Sequence, residues 1–200
     1  MPPSPSSGRS GLGLSDFTSL PDDLPAPQDD GGADHLPGMK LPSAPLPSTS
    51  GETVDPSALS SLTVVYCYPM TGRPDAALPD GWDGIPGARG CTPQSCSFRD
   101  RHEELRSLGV SYVFGVSTQS TAYQREAKER LNLTFDLLSD STLAFRDALR
   151  LPTLEVRGDT LLKRLTLILR GGGVEHVFYP VFPPDRSAQE VIEWLAENRQ

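Results

Sequence analysis

The sequence predicts an α/β protein in which a central mixed sheet is covered by helices on both faces. Three features predict it. Apolar runs dense in β-branched and aromatic residues alternate with stretches of helical period. Near the C-terminus two strand-like runs are joined by a glycine-rich turn. One further amphipathic helix then closes the chain. At 200 residues and 36% hydrophobic content, the chain suits one domain of ordinary size with a tail to spare.

The first third is unlike the rest. Eleven of the 20 prolines precede residue 57, and little before residue 36 could be buried to offset the entropy of ordering it. Residues 1–35 are therefore expected to be a flexible, acidic, proline-rich tail. From Leu36 the pattern changes, and residues 36–200 are expected to form the domain. "KLPSAPLPSTSGETVDPSALSSL" (40–62) reads as short extended pieces with an "SG" turn, an edge hairpin, with an unstructured linker as the alternative.

"LTVVYCYP" (62–69) is long enough for a buried central strand, and "GVSYVFGVS" (109–117) is a second. Between them, "TPQSCSFRDRHEELRSLG" predicts one helix with Thr92 as N-cap, Pro93 at the first helical position and Gly109 as stop. Phe98, Leu105 and Leu108 give it an apolar face. "STQSTAYQREAKERLNL" (117–133) predicts another helix, with Ala122, Tyr123, Ala127 and Leu131 on one side. A short strand around Leu137–Leu138 and a helix at 141–150 follow. "LLKRLTLIL" (161–169) and "VEHVFYPVF" (174–182) read as strands joined at "RGGG", and "SAQE" predicts a capping box of Ser187 and Glu190 on the last helix. This order is the one a thioredoxin-like fold requires, and other mixed-sheet folds share it.

Charge narrows the function classes. The net charge is −8, of which residues 1–61 carry −6 and residues 62–200 only −2. No basic stripe invites nucleic acid. No apolar run reaches the length of a membrane span, and the start lacks the basic and apolar regions of a secretory signal, so a cytoplasmic location is expected. Three cysteines do not make a disulfide framework. His35, His102 and His176 are scattered and no Cys/His cluster has ligand spacing, so no metal site is expected.

Two of the cysteines stand in "GCTPQSC" (90–96), at a spacing that fits neither a C-x-x-C redox pair nor a zinc half-site. Cys91 lies at the predicted helix start, where unpaired N–H groups and the helix dipole favour a thiolate. A thiolate attacks an O–O bond and becomes a sulfenic acid. Cys96, five residues on, would have its Cα about 8 Å away in a helix, past the reach of about 7 Å that a disulfide allows, so the two could join only if the first turns unwind. The alternative is that both are small buried hydrophobes. Cys67, between Tyr66 and Tyr68, reads as an inert core residue, and Arg99 with Asp100 as a surface pair, with support of the turn that carries Cys91 as the alternative.

"YP" (68–69) closing a strand, followed by "GCTPQSCSFRD" (90–100), resembles the peroxiredoxins, specifically the atypical two-cysteine Q-type or bacterioferritin-comigratory branch. The resemblance covers residues 36–200 in element order. It implies a thioredoxin-like fold, with Cys91 as the peroxidatic and Cys96 as the resolving cysteine. It implies that Arg164 in "KRLTLIL" stands beside the thiolate; a charged residue on an exposed strand face is the alternative. The implied activity is a thiol-dependent peroxidase for hydrogen peroxide or organic hydroperoxides, recycled through an intramolecular disulfide by thioredoxin or glutaredoxin. Neither a metal nor an organic cofactor is implied, and the expected assembly is a monomer or weak dimer. A non-catalytic redox sensor or thiol-switch binding protein on the same fold is the competing reading, and a general thiol–disulfide oxidoreductase would want the C-x-x-C pair that the chain lacks.

One departure stands out. The family pattern is Pro-x-x-x-Thr-x-x-Cys, whereas here Pro69 is followed by "MTGRPDAALPDGWDGIPGARG" (70–90) before Cys91. The residue three before the cysteine is Ala88, which has no hydroxyl, leaving Thr71 or Thr92 as substitutes. Five glycines and three prolines mark residues 70–90 as an inserted loop, with Trp82 and Ile85 as its expected anchors.

Overall fold

Why the strand-like runs become a sheet rather than helices is visible in their burial. A computed structural model describes residues 17–198. A two-stranded antiparallel ribbon, β1 (Leu46–Pro47) on β2 (Thr53–Val54), comes first, turning at Gly51. Then come β3 (Thr63–Cys67), α1 (Cys91–Asp100), α2 (His102–Ser107), β4 (Tyr112–Ser117), α3 (Thr121–Arg130) and β5 (Asp136–Ser139). The chain continues through α4 (Ala144–Leu149), β6 (Thr153–Val156), β7 (Asp159–Leu162), β8 (Leu165–Arg170), β9 (Gly173–Phe178) and α5 (Ser187–Glu197).

The central sheet has the order β5-β4-β3-β8-β9. Its β3, β4 and β5 are parallel, while β8 and β9 run antiparallel, as the "RGGG" hairpin demands. Strand β3 is buried along its whole length, so both faces of the sheet must be covered. Val64, Tyr66 and Tyr68 face a core shared with Phe98 of α1, Leu105 of α2, Ala127 of α3 and Val191 of α5. Val65 and Cys67 face the opposite core, with Phe145 of α4, Leu36 and Leu46. The α/β architecture with helices on both faces is thus as expected.

Five local expectations need correction. Helix α1 begins at Cys91, with Gly90 rather than Thr92 in the capping position. Gly90 has φ +105, and a Cβ there would collide with Pro184, so only glycine fits. The long helix 92–108 is two helices, broken where Arg101 leaves helical geometry. The run 161–169 is two strands, because β7 pairs with β6 in a separate hairpin while β8 joins the central sheet. Periodicity is the same on both sides of the break; only the pairing partners differ. Ser187 caps nothing with its side chain, which is drawn inward instead. Ala122 of α3 is exposed, and Gln124 occupies the buried position beside it.

The tail boundary at residue 35 also fails for the described part of the segment. Residues 17–35 lie along the domain: Phe17 is 8% exposed and Ala33 is 5% exposed. Asp30 accepts hydrogen bonds from Lys163 Nζ and Tyr179 Oη, both at 2.6 Å. His35 Nε2 meets the Leu149 carbonyl at 2.8 Å. Composition concealed this, because the few apolar residues here are spaced without period. The expectation for residues 1–16 lies outside the described residues.

The 70–90 loop is anchored as expected. Trp82 opens a short 3₁₀ turn (Trp82–Gly84) and is buried with Ala88, Val156 and Leu161, while Leu78 and Ile85 pack around them. An Asp80–Arg157 ion pair at 2.9 Å adds a tie at the hairpin tip. The loop is therefore bound to β6–β7.

Candidate active site

Cys91 is the first residue of α1, and the first backbone hydrogen bond of that helix runs from Gln94 N to Gly90 O at 3.0 Å. Pro93, within the first turn, removes an N–H that the helix could not have paired. The sulfur thus sits at the positive end of the helix dipole. It is only 2% exposed, at the edge of the core that holds Tyr66, Tyr68 and Phe98.

The positive charge beside it is Arg164, in the two-residue break between β7 and β8 and 3% exposed. Arg164 Nη2 lies 3.2 Å from Cys91 Sγ. The same nitrogen faces the carbonyls of Gly87, Ala88 and Arg89 at 3.1–3.2 Å, so its two protons are shared between the sulfur and the end of the inserted loop. As a thiol, Cys91 can in turn donate to the Ala88 carbonyl at 3.6 Å. Ala88 lacks the hydroxyl that the family pattern has there, yet its main chain stands at the centre of the site.

Behind the arginine lies a buried polar chain that sequence reading missed. Gln94 Oε1 accepts from Arg164 Nη1. Gln94 Nε2 donates to Ser187 Oγ at 3.3 Å, and Ser187 Oγ pairs with Thr166 Oγ1 at 3.2 Å. All three are buried. These bonds hold Nη1 of the guanidinium toward Gln94, while Arg164 Nε, also buried, has no partner among the described residues. A signal existed for Gln94, one helical turn from Cys91 on the same face. Nothing local pointed to Ser187, whose sequence context reads as a cap.

The remaining expected residues divide. Pro69 is buried just past the end of β3. Thr71 is 1% exposed, and its Oγ1 donates to Gln119 Oε1 at 3.2 Å. Thr92 borders the same narrow cleft as Cys91, together with Phe17, Met70 and Trp82. Of the two candidate threonines, Thr92 is the one that lines this cleft. Arg99 pairs with Asp100 at 2.7 Å and donates to the Leu131 carbonyl at 2.7 Å, so it braces the far end of α1 rather than the first turn.

Cys96 lies in the same helix, half-buried, and all three cysteines are free. Five residues of α-helix separate its Cα from that of Cys91 by about 8 Å, so a bond between them requires the first turns of α1 to open. Burial pushes the Cys96 thiol above its ordinary range, with the Arg99 guanidinium opposing the shift. Burial pushes Cys67 up much further, and Asp140 adds to it. Cys67 also faces the opposite side of the sheet from Cys91, because the pleat of β3 alternates. It packs as an inert core residue. Among the described residues, no helix is long and apolar enough to cross a membrane.

The chain is similar to known proteins. The Redoxin family model matches residues 36–192. The chloroplastic peroxiredoxin Q of Sedum lineare is 30% identical over 183 residues, covering 80% of this chain and 89% of that protein. The chloroplastic peroxiredoxin Q of Oryza sativa subsp. japonica is 30% identical over 160 residues, or 79% of this chain, which spans only 65% of the rice protein's length. Among solved structures, the peroxidoxin BcpB of Mycobacterium tuberculosis superposes with a TM-score of 0.65 at 24% identity, over 83% of this chain and all of that one, and so shares its fold.

Proposed function

The chain belongs to the redoxin family and, within it, to the Q-type peroxiredoxins, and from that premise we propose that it is a thiol-dependent peroxidase for hydrogen peroxide or organic hydroperoxides. One observation carries the reading: a guanidinium held 3.2 Å from the sulfur of Cys91 at a helix N-terminus.

In this mechanism the Cys91 thiolate attacks the terminal oxygen of the peroxide. The S–O bond forms as the O–O bond breaks, leaving a sulfenic acid. The departing alkoxide or hydroxide takes up a proton and leaves as alcohol or water. Arg164 stabilises the thiolate and donates to the peroxide oxygens as charge develops. The first turns of α1 then open, and the Cys96 sulfur displaces the sulfenic hydroxyl as water to close the Cys91–Cys96 disulfide. A dithiol protein, thioredoxin or glutaredoxin, reduces it by thiol–disulfide exchange and is itself oxidised. Thr92, which lines the same cleft as Cys91, supports the reading as the residue that would offer the peroxide a hydroxyl, and Pro69 is a further supporting residue in it. A monomer or weak dimer in the cytoplasm, a compartment that keeps resting thiols reduced, completes the proposal.

The test is peroxide consumption with purified thioredoxin and its reductase. Cys91→Ser abolishes turnover. Cys96→Ser permits one oxidation event and no thioredoxin-dependent cycle. A wild-type chain that reacts once and stops would instead be a redox sensor. Equal loss of the first oxidation in both variants would refute the division of roles between the two sulfurs.

A further inference from the structure

Residues 17–35 precede the matched family domain, which starts at residue 36, yet they do not stand apart from the site. Phe17 borders the cleft that leads to Cys91, and its ring lies against Gly72 so closely that a Cβ there would meet it at 2.7 Å. The Arg89 guanidinium sits 5.4 Å from the centre of the same ring. Leu20 presses on Gly90, where an added Cβ would be 2.9 Å from its Cδ2. Farther on, Leu24 and Pro25 line a small pocket with Arg164 and Phe182, and Pro27 and Gln28 line another with Gly87, Arg164 and Tyr179. The Asp30 bonds to Lys163 and Tyr179 fasten the far end. From Phe17 to Asp30 the chain is thus a strap laid over the sulfur and its arginine.

Resting on the peroxidase reading, we propose that Phe17, held by this strap, is a specificity-determining residue that limits the size of the peroxide reaching Cys91. The cleft is narrow and Cys91 is 2% exposed, and a substrate that enters by this cleft passes between Phe17 and the loop at 70–90. Hydrogen peroxide needs little more room than a water molecule, whereas an aryl hydroperoxide needs the space that the phenyl ring fills. Apolar pockets discriminate by about 10- to 200-fold for a single methylene. Strap residues 17–30 form no regular helix or strand, so side-chain anchors hold their position.

The experiment uses the full chain with Phe17→Ala and Gly72→Ala, singly and together. The readout is the ratio of kcat/KM for cumene hydroperoxide to that for hydrogen peroxide. Phe17→Ala raises the ratio about tenfold. Gly72→Ala, whose new methyl displaces the ring, raises it in the same direction but adds nothing when Phe17 is already alanine. Unchanged ratios in both single variants overturn the proposal. A second measurement does not depend on peroxide chemistry: labelling of Cys91 by iodoacetamide and by a pyrene maleimide, in a Cys96→Ser background. Phe17→Ala speeds the bulky reagent relative to the small one by about tenfold. Equal relative rates with and without Phe17 refute the size filter, even if the wild-type chain proves not to turn over peroxide.

Discussion

Replacing Arg164 by glutamine isolates the contribution of one charge. The guanidinium stands 3.2 Å from the sulfur, and both groups are almost fully buried. Two unit charges at this separation attract by about 5 kcal/mol at an effective dielectric constant of about 20. Part of that attraction survives through the helix N-terminus and a glutamine amide, so a loss of about 4 kcal/mol is expected in the step that consumes thiolate. That corresponds to a fall of about a thousandfold in rate, measured as the second-order rate of Cys91 oxidation in single-turnover stopped flow. Arg164→Lys separates charge from geometry. Lysine keeps the charge but cannot span Gln94, three loop carbonyls and the sulfur with a planar fork, so its rate should fall between the two. The same variants need a melting curve, because Arg164 also fastens the loop end at residues 87–89. If Arg164→Gln, folded, oxidises within tenfold of wild type, electrostatic activation by this residue is refuted.

Three further outcomes follow from the same packing. Gln94→Leu removes a charge-assisted bond from a buried guanidinium, worth about 1.5–3 kcal/mol, and should lower Tm by about 4–10 °C in calorimetry; an unchanged Tm would show that the chain from Arg164 to Thr166 is not coupled. Trp82→Ala empties the cluster between the inserted loop and the β6–β7 hairpin, at a cost of about 3–5 kcal/mol, and should open residues 70–90 to limited proteolysis before the rest of the chain. Burial holds the Cys96 thiol above its ordinary range, so near neutral pH it is protonated, and the rate of disulfide closure should climb as pH rises from 7 to 9. Rapid quench with alkylation reads that rate, and a flat profile would mean that opening of α1, not ionisation of Cys96, limits the step.

Much of the candidate site was legible because the residues that suggest it are local. Cys91, Cys96 and the helix that carries them lie within eleven residues, and the strand runs on either side announce themselves by composition. The errors came where a residue's role depends on what lies across the molecule. Ser187 fits a cap by its sequence neighbours, but Gln94 and Thr166 claim its hydroxyl from 93 and 21 residues away. Apart from Thr166, the run at 161–169 is aliphatic around Lys163 and Arg164, so nothing in it marks the switch from one sheet to another. Thr71 and Thr92 are equally suitable as replacement hydroxyls until the fold gives Thr71 to Gln119 and leaves Thr92 at the cleft.

The order of residues alone determined the α/β class, the sulfur pair and the helix mouth beneath it, because hydrophobic period, glycine and cysteine act over one or two turns of chain. Tertiary structure alone decided which buried groups orient Arg164, how the inserted loop is fastened, and that a proline-rich segment with no period of its own lies over the sulfur. Those outcomes depend on contacts between residues up to 149 positions apart, as between Asp30 and Tyr179, and no local pattern encodes a partner at that distance.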